Sequence, residues 1–223
     1  GKLVVSGSED HLVKIWNFET GAEVLSLSTD SPVNSVAFSP DGKSVVSCSE
    51  DTHIKMWNSV TGAEVWESPG QPACHVAFSP DGKLIVSGSR DTLVKIFHAD
   101  TGAELCTMRG HLDSVTSVDF SPDGKRVVSG SEDGFVKIWN ATTGTELWSS
   151  GRHDDPHSPA YLKPVNTVAF SPDGRQIVSG GSQDGIVIES AETGTEDSPT
   201  TGHSDQVFSV GFSPDGKRVV SGS

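Results

Sequence analysis

The chain has 223 residues and a formal net charge of −14, from 16 basic and 30 acidic side chains; it is long enough for one folded domain and short for two. That balance argues against a nucleic-acid partner, since phosphate neutralisation needs clustered Lys and Arg. No apolar run approaches the ~18 residues of a membrane-spanning helix, and no charged segment leads into an apolar one as in a signal peptide.

Gly1 in place of Met marks the start as other than a native one. Cys48, Cys74 and Cys106 are odd in number and scattered in spacing, so no disulfide framework is expected; the setting reads as reducing and cytoplasmic.

Taken in chain order, the predicted elements repeat. Gly1 to Ser8 is a Val-rich run ending in Ser-Gly-Ser, and the acidic turn at Glu9-Asp10 leads to Val13-Lys14-Ile15-Trp16. A Thr-Gly turn at Thr20 then opens a short fourth run. The next unit brings an apolar run into Phe-Ser-Pro-Asp-Gly at Phe38, and this phrase returns at Phe78, Phe120, Phe170 and Phe212, spaced 40, 42, 50 and 42 residues apart. The third run recurs as Ile54-Lys55-Met56-Trp57, Val94-Lys95-Ile96-Phe97 and Val136-Lys137-Ile138-Trp139; the Thr-Gly turn recurs at Thr61, Thr101, Thr143 and Thr193. Runs of four to six residues, rich in Val and Ile and bounded by Gly, Pro, Asp or Ser, are strand signals. Pro-Asp-Gly is a turn with a mechanism: Pro presets φ, Asp bonds its own backbone and Gly accepts positive φ.

Four antiparallel strands per ~42 residues cannot bury both faces alone, so stacked blades in a propeller are the expected architecture. The units read as 1–28, 29–68, 69–109, 110–150, 160–200 and a partial 201–223, with an insertion at 151–159. Both ends, GKLVVSGS and GKRVVSGS, fall in a second strand, giving three strands, four full blades and two strands. The fold class is therefore an all-β propeller of about five repeats, part of a larger propeller or one closed by self-association.

With Gly110-His111 opening a unit and Asp133 to Trp139 closing it, the chain resembles the WD40-repeat (beta-transducin-like) family over nearly its whole length outside 151–159. The resemblance implies a ring, usually of seven blades and sometimes of six or eight. It also implies a hydrogen-bonded network, and only one unit carries the full set: His111, Ser129, Asp133 and Trp139. Others keep Asp10 with Trp16 and Asp51 with Trp57, while Thr29, Pro69 and Tyr161 stand at the His position and Phe97 at that of Trp. The unit of Asp184 loses its Trp through a one-residue shortening at Val187-Ile188-Glu189-Ser190, and is expected to be the loosest.

The family's partner contacts fall at three positions per blade. Carried over, two of them are Pro32 and Asn34, Pro72 and Cys74, Ser114 and Thr116, Pro164 and Asn166, and Gln206 and Phe208, all read as loop residues between blades. The third, before the turn Asp, is Glu9, Glu50, Arg90, Glu132 and Gln183. Three glutamates on one rim favour a Lys/Arg-rich protein or peptide; the bland alternative is that they solvate exposed turns. Phe208 and Tyr161 are the aromatic anchor candidates. The near-identity of the repeats is also similar to the sensor regions of large signalling NTPases, although no nucleotide-binding module is present in these residues.

No catalytic residue, metal or cofactor is assigned. Gly42-Lys43-Ser44 lacks the first Gly of a phosphate loop, which would sit at Ala37. His153-Asp154-Asp155-Pro156-His157 reads as a solvated loop rather than a metal site. Asn140-Ala141-Thr142 matches a glycosylation acceptor by chance. The resulting expectation is a non-enzymatic interaction scaffold or sensor. The rivals are a hydrolase-like propeller, needing inward carboxylates or a metal, and a carbohydrate binder, needing an exposed aromatic once per blade.

Overall fold

The computed structural model describes residues 2–68, 70, 72–151, 163–182, 185–200, 203 and 205–223. Among them every regular element is a strand, and every pairing is antiparallel and sequential. Sheet one is β1 (Leu3–Gly7), β2 (Leu12–Asn17) and β3 (Glu23–Ser28). Sheet two is β4 (Val33–Phe38), β5 (Ser44–Ser49), β6 (Ile54–Asn58) and β7 (Glu64–Ser68). Sheet three is β8 (Ala73–Phe78), β9 (Leu84–Ser89), β10 (Val94–His98) and β11 (Glu104–Met108). Sheet four is β12 (Val115–Phe120), β13 (Arg126–Ser131), β14 (Phe135–Asn140) and β15 (Glu146–Gly151). Sheet five is β16 (Val165–Phe170), β17 (Gln176–Gly181), β18 (Ile186–Ser190) and β19 (Glu196–Thr200). Sheet six holds only β20 (Ser209–Phe212) and β21 (Val219–Gly222).

Consecutive sheets stack through their inner strands: β4 on β8, β8 on β12, β12 on β16 and β16 on β20. Among the described residues no strand pairing closes the sheets into a ring. The core is therefore a series of slabs between neighbours. In Val45-Val46, Val45 packs back with Val13, Ile15 and Val33, while Val46 packs forward with Ala73, Val76 and Ile85. Side chains alternate across a strand, and a sheet packed on both faces needs both to be apolar.

Close approach between slabs is set by size. A Cβ on Gly7, Gly88 or Gly130 would lie 2.5–2.7 Å from a methyl of Val33, Val115 or Val165 on the next sheet, and one on Gly180 would lie 2.7 Å from a methyl of Val207, just before β20. At the fifth such contact the partners are exchanged: Cys48 stands in the glycine register and Ala73 faces it, both buried. At the opposite rim the Pro-Asp-Gly turns follow one another, with Gly82 against Pro40 and Gly174 against Pro122.

Sheet five differs from expectation in one respect. The shortened run does not leave the Trp register empty, because Glu189 pairs with Ile177 as Trp139 pairs with Val127. This carboxylate is buried and accepts a bond from Ser150 Oγ of sheet four. Gln183, Asp184, Tyr161 and the His153–His157 stretch lie outside the described residues.

Candidate partner-binding rim

The rim carrying the β1–β2 type turns is built on the network of sheet four. Trp139 Nε1 donates to Ser129 Oγ at 2.8 Å, Ser129 Oγ lies 2.7 Å from His111 Nε2, and His111 Nδ1 lies 2.8 Å from Asp133 Oδ2. With Asp133 ionised, Nδ1–H donates to the carboxylate, and in the neutral imidazole the Ser129 hydroxyl donates to Nε2. Burial opposes ionisation of Asp133, yet the bonds from His111 and the Leu112 N–H outweigh it and hold the carboxyl below its usual range. Oδ1 of the same carboxylate accepts the Phe135 N–H at 2.9 Å. One buried side chain thus fixes both the loop before β12 and the turn after β13.

Elsewhere the network is partial. Trp16 donates to Ser6 and Trp57 to Ser47, each at 2.8 Å. Asp51 Oδ2 in sheet two and Ser87 Oγ in sheet three are buried with no hydrogen-bond partner. The cause is the residue at each expected donor: Thr29 turns its hydroxyl onto His11 O and Ser31 O, and Phe97 has no indole N–H to give. In sheet six His203 Nε2 lies 2.7 Å from Ser221 Oγ.

Above this frame two of the three positions meet in sheets two, three and four. The turn N–H of Glu50 donates to Pro32 O, that of Arg90 to Pro72 O and that of Glu132 to Ser114 O, at 2.9–3.0 Å. Ser182 N donates to Pro164 O in the same way. Glu9, Glu50, Arg90 and Glu132 are exposed, Pro32, Pro72, Ser114 and Pro164 half-buried, and Gln206 exposed.

The expected loop placement of Asn34, Cys74, Thr116 and Asn166 is corrected. They lie inside β4, β8, β12 and β16, as the extra residue where the register slips against the second strand. Such a bulge turns one residue out of the ladder. Three of the four then latch the neighbouring sheet: Asn34 Nδ2 to Ala73 O, Thr116 Oγ1 to Val165 O and Asn166 Nδ2 to Val207 O.

The rim charge is also modified. Arg90 Nη2 lies 3.3 Å from Glu50 Oε1, and its guanidinium reaches the Cys74 thiol. Burial pushes the Cys74 thiol up, and Arg90 pulls it part of the way back. Glu9 and Glu132 have no such ion pair among the described residues. Two large apolar side chains stand out of the rim: Phe208 at 66% exposure, next to β20, and Leu112 at 83%. Leu112 was not singled out by sequence; the available signal was a lone leucine after Gly-His in an otherwise polar loop.

Two titratable side chains sit on inner strands. His75 Nδ1 accepts from Val118 N, where Ser35 and Ser117 accept from Val76 N and Val168 N. Burial lowers its pKa to about 4. Asp119 Oδ2 accepts the Phe170 N–H, and burial raises its pKa to about 6. Among the described residues no three His, Cys, Asp or Glu side chains group as a metal would require.

The family model of the WD domain, G-beta repeat, matches residues 1–17, 21–58, 65–98, 102–140, 156–188 and 196–223. Among solved structures, that of the computationally designed Ika8 protein is similar over 100% of this chain, with a TM-score of 0.80 and 32% identity. The chain spans 65% of that protein's length.

Proposed function

The chain belongs to the WD domain, G-beta repeat family, and on that premise we propose that it is a non-catalytic scaffold or sensor whose rim grips a protein or peptide, in a cytoplasmic setting. Repeats of this family generally mediate protein–protein interaction. The observation that carries the reading is a division of labour on one rim. The backbone of the turns is held from below by buried or inward groups, while Glu9, Glu132, Leu112 and Phe208 are left to solvent on that fixed frame. A rigid scaffold with dissimilar exposed groups is a binding architecture.

The chemistry suits a Lys/Arg-rich segment with an apolar residue to set against Leu112. Acidic groups steer such a partner and the apolar groups anchor it. The test uses a fluorescent Lys/Arg-rich peptide containing one Leu, titrated with the wild type and with Glu9→Lys, Glu50→Lys, Glu132→Lys combined. Affinity is expected to fall on the order of tenfold or more. The control reverses Glu19, Asp100 and Glu192 on the opposite rim, giving the same net charge with affinity retained. Equal binding by both triple variants removes the acidic rim.

A further inference from the structure

We propose that a cavity between sheets two and three, on the rim of the Pro-Asp-Gly turns, receives the guanidinium of an arginine side chain from a partner. The cavity measures about 160 Å³ and is lined by Ser44 of sheet two and by Phe78, Gly82 and Ala99 of sheet three. The exposed carboxylates of Asp41, Asp81 and Asp100 stand around it.

The same seat is filled elsewhere in the molecule. Arg126 holds in sheet four the place that Ser44 holds in sheet two: each opens a second strand and pairs with the Asn that closes the third, Asn140 or Asn58. The Arg126 side chain crosses to sheet five. There Nη1 donates to Ala191 O at 2.8 Å, Nη2 donates to Gly174 O at 2.7 Å, and Cζ lies 5.6 Å from the centre of the Phe170 ring. Phe78, Gly82 and Ala99 are the counterparts of Phe170, Gly174 and Ala191 in sheet three.

Contacts on either side of the seat show that the two joints share one frame. Trp66 Nε1 donates to Ala99 O at 2.7 Å, and Trp148 Nε1 donates to Ala191 O at 3.2 Å. A Cβ on Gly82 would lie 3.4 Å from Pro40, and one on Gly174 would lie 3.2 Å from Pro122. Ala191 O accepts from both the indole and Arg126, one bond for each lone pair. Ala99 O accepts from the indole without a guanidinium, and Gly82 O accepts no bond from the described residues. The difference between the joints is the side chain at the shared register, since serine is too short to reach across. At the joint between sheets three and four this register belongs to Leu84, which packs against the core instead.

Two carbonyls placed to accept from two nitrogens of one fork suit a planar guanidinium better than a compact ammonium. The Phe78 ring adds an aromatic face for the cation. Bonds from the Lys43 N–H and Ser39 hold the Asp41 carboxyl below its usual range, and those from Ser79 and the Lys83 N–H do the same for Asp81. Lys43 and Lys83 lie 3.4 and 3.8 Å from these two carboxylates, whereas Asp100 has no ion pair among the described residues. An unpaired carboxylate beside two unfilled carbonyls favours a cation. The seat lies on the rim opposite Glu9, Glu50 and Glu132 and stands independently of what that rim binds.

The probe is N-acetyl-L-arginine N-methylamide, followed by nuclear magnetic resonance of the Lys83 and Asp100 amides, whose peptide units carry the Gly82 and Ala99 carbonyls. At 0.15 M salt these amides are expected to shift saturably, with a Kd on the order of 1–10 mM for so small a ligand. The equally blocked lysine is expected to bind at least about fivefold more weakly. Ser44→Leu fills the seat with the residue that Leu84 supplies one sheet on, and Ser44→Arg fills it from within the chain; both abolish the shift. Circular dichroism checks that both keep their strands. Combined Glu9→Lys, Glu50→Lys, Glu132→Lys leaves binding within about twofold, because a strand length of about 20 Å exceeds the screening length of about 8 Å. No saturable shift in the wild type, equal binding of the blocked lysine, undiminished binding by either folded Ser44 variant, or loss of binding in the triple glutamate variant overturns the proposal.

Discussion

At the residue scale, the Ser129 hydroxyl decides whether a sheet is pinned to its rim. It accepts from one buried ring, lies against another, and through His111 reaches a carboxylate that orders two loops. Trp139 is both a filler of the slab between sheets three and four and a donor to that hydroxyl. Trp139→Ala is expected to cost about 3–5 kcal/mol in urea unfolding; a shift below about 1 kcal/mol contradicts the role. Asp119 works in the opposite sense. Its folded pKa of about 6 lies above the ordinary 3.8, so folding favours the protonated form. The contribution is fully present below pH 3.8 and is lost as pH rises through about 6. Asp119→Asn keeps an acceptor for the Phe170 N–H and removes the half-buried charge. Stability near neutral pH should rise by about 1–3 kcal/mol, with the gain vanishing in acid; a gain independent of pH rules out the charge as its cause.

At the scale of the element, the inter-sheet contact is a pair of sizes rather than a pair of residues. Four contacts set glycine against valine, and the fifth sets Cys48 against Ala73. Ala73→Val alone overpacks the slab by about 1–3 kcal/mol. Cys48→Gly alone leaves a void and a looser backbone at a similar cost. The double variant restores the pattern of the other slabs and should lie within about 1 kcal/mol of the wild type. An additive double-mutant cycle would show that the two side chains do not share that space. The bulges belong to this scale too: one extra residue frees Asn34, Thr116 and Asn166 to bond the next sheet, which makes them latches between elements.

Across the whole molecule, stability follows from neighbours. The matched repeats 21–58, 65–98 and 102–140 each begin near the outer strand of one sheet and run into the third strand of the next, so sequence repeat and sheet are out of phase by one strand. Each covalent repeat therefore ties two slabs together, and interior sheets gain support from both sides. Hydrogen exchange should be slowest for amides of β13 and β14, where the network is complete and both faces are covered. It should be fastest for β1 and β21 at the exposed ends. Trp139→Ala should bring β13 and β14 up to the rate of sheet three, which carries Phe97; unchanged protection there would place the stability of sheet four in packing alone.

The strands, their order and the Pro-Asp-Gly turns were legible in the sequence because each rests on local spacing, whereas the four members of the His111 network were named through the resemblance to the WD40 family, whose motif lies within one repeat. The placement of Asn34, Cys74, Thr116 and Asn166 was not, since a one-residue slip in a ladder leaves no mark in composition. Nor was the exposure of Leu112, the pairing of Arg90 with Glu50, or the seat of Glu189 in the tryptophan register. Those depend on which side chains two neighbouring sheets bring face to face, and that is decided by packing between residues some forty positions apart. The sequence by itself determined the blade; the tertiary structure alone decided what each blade shows to the next and what it leaves to solvent.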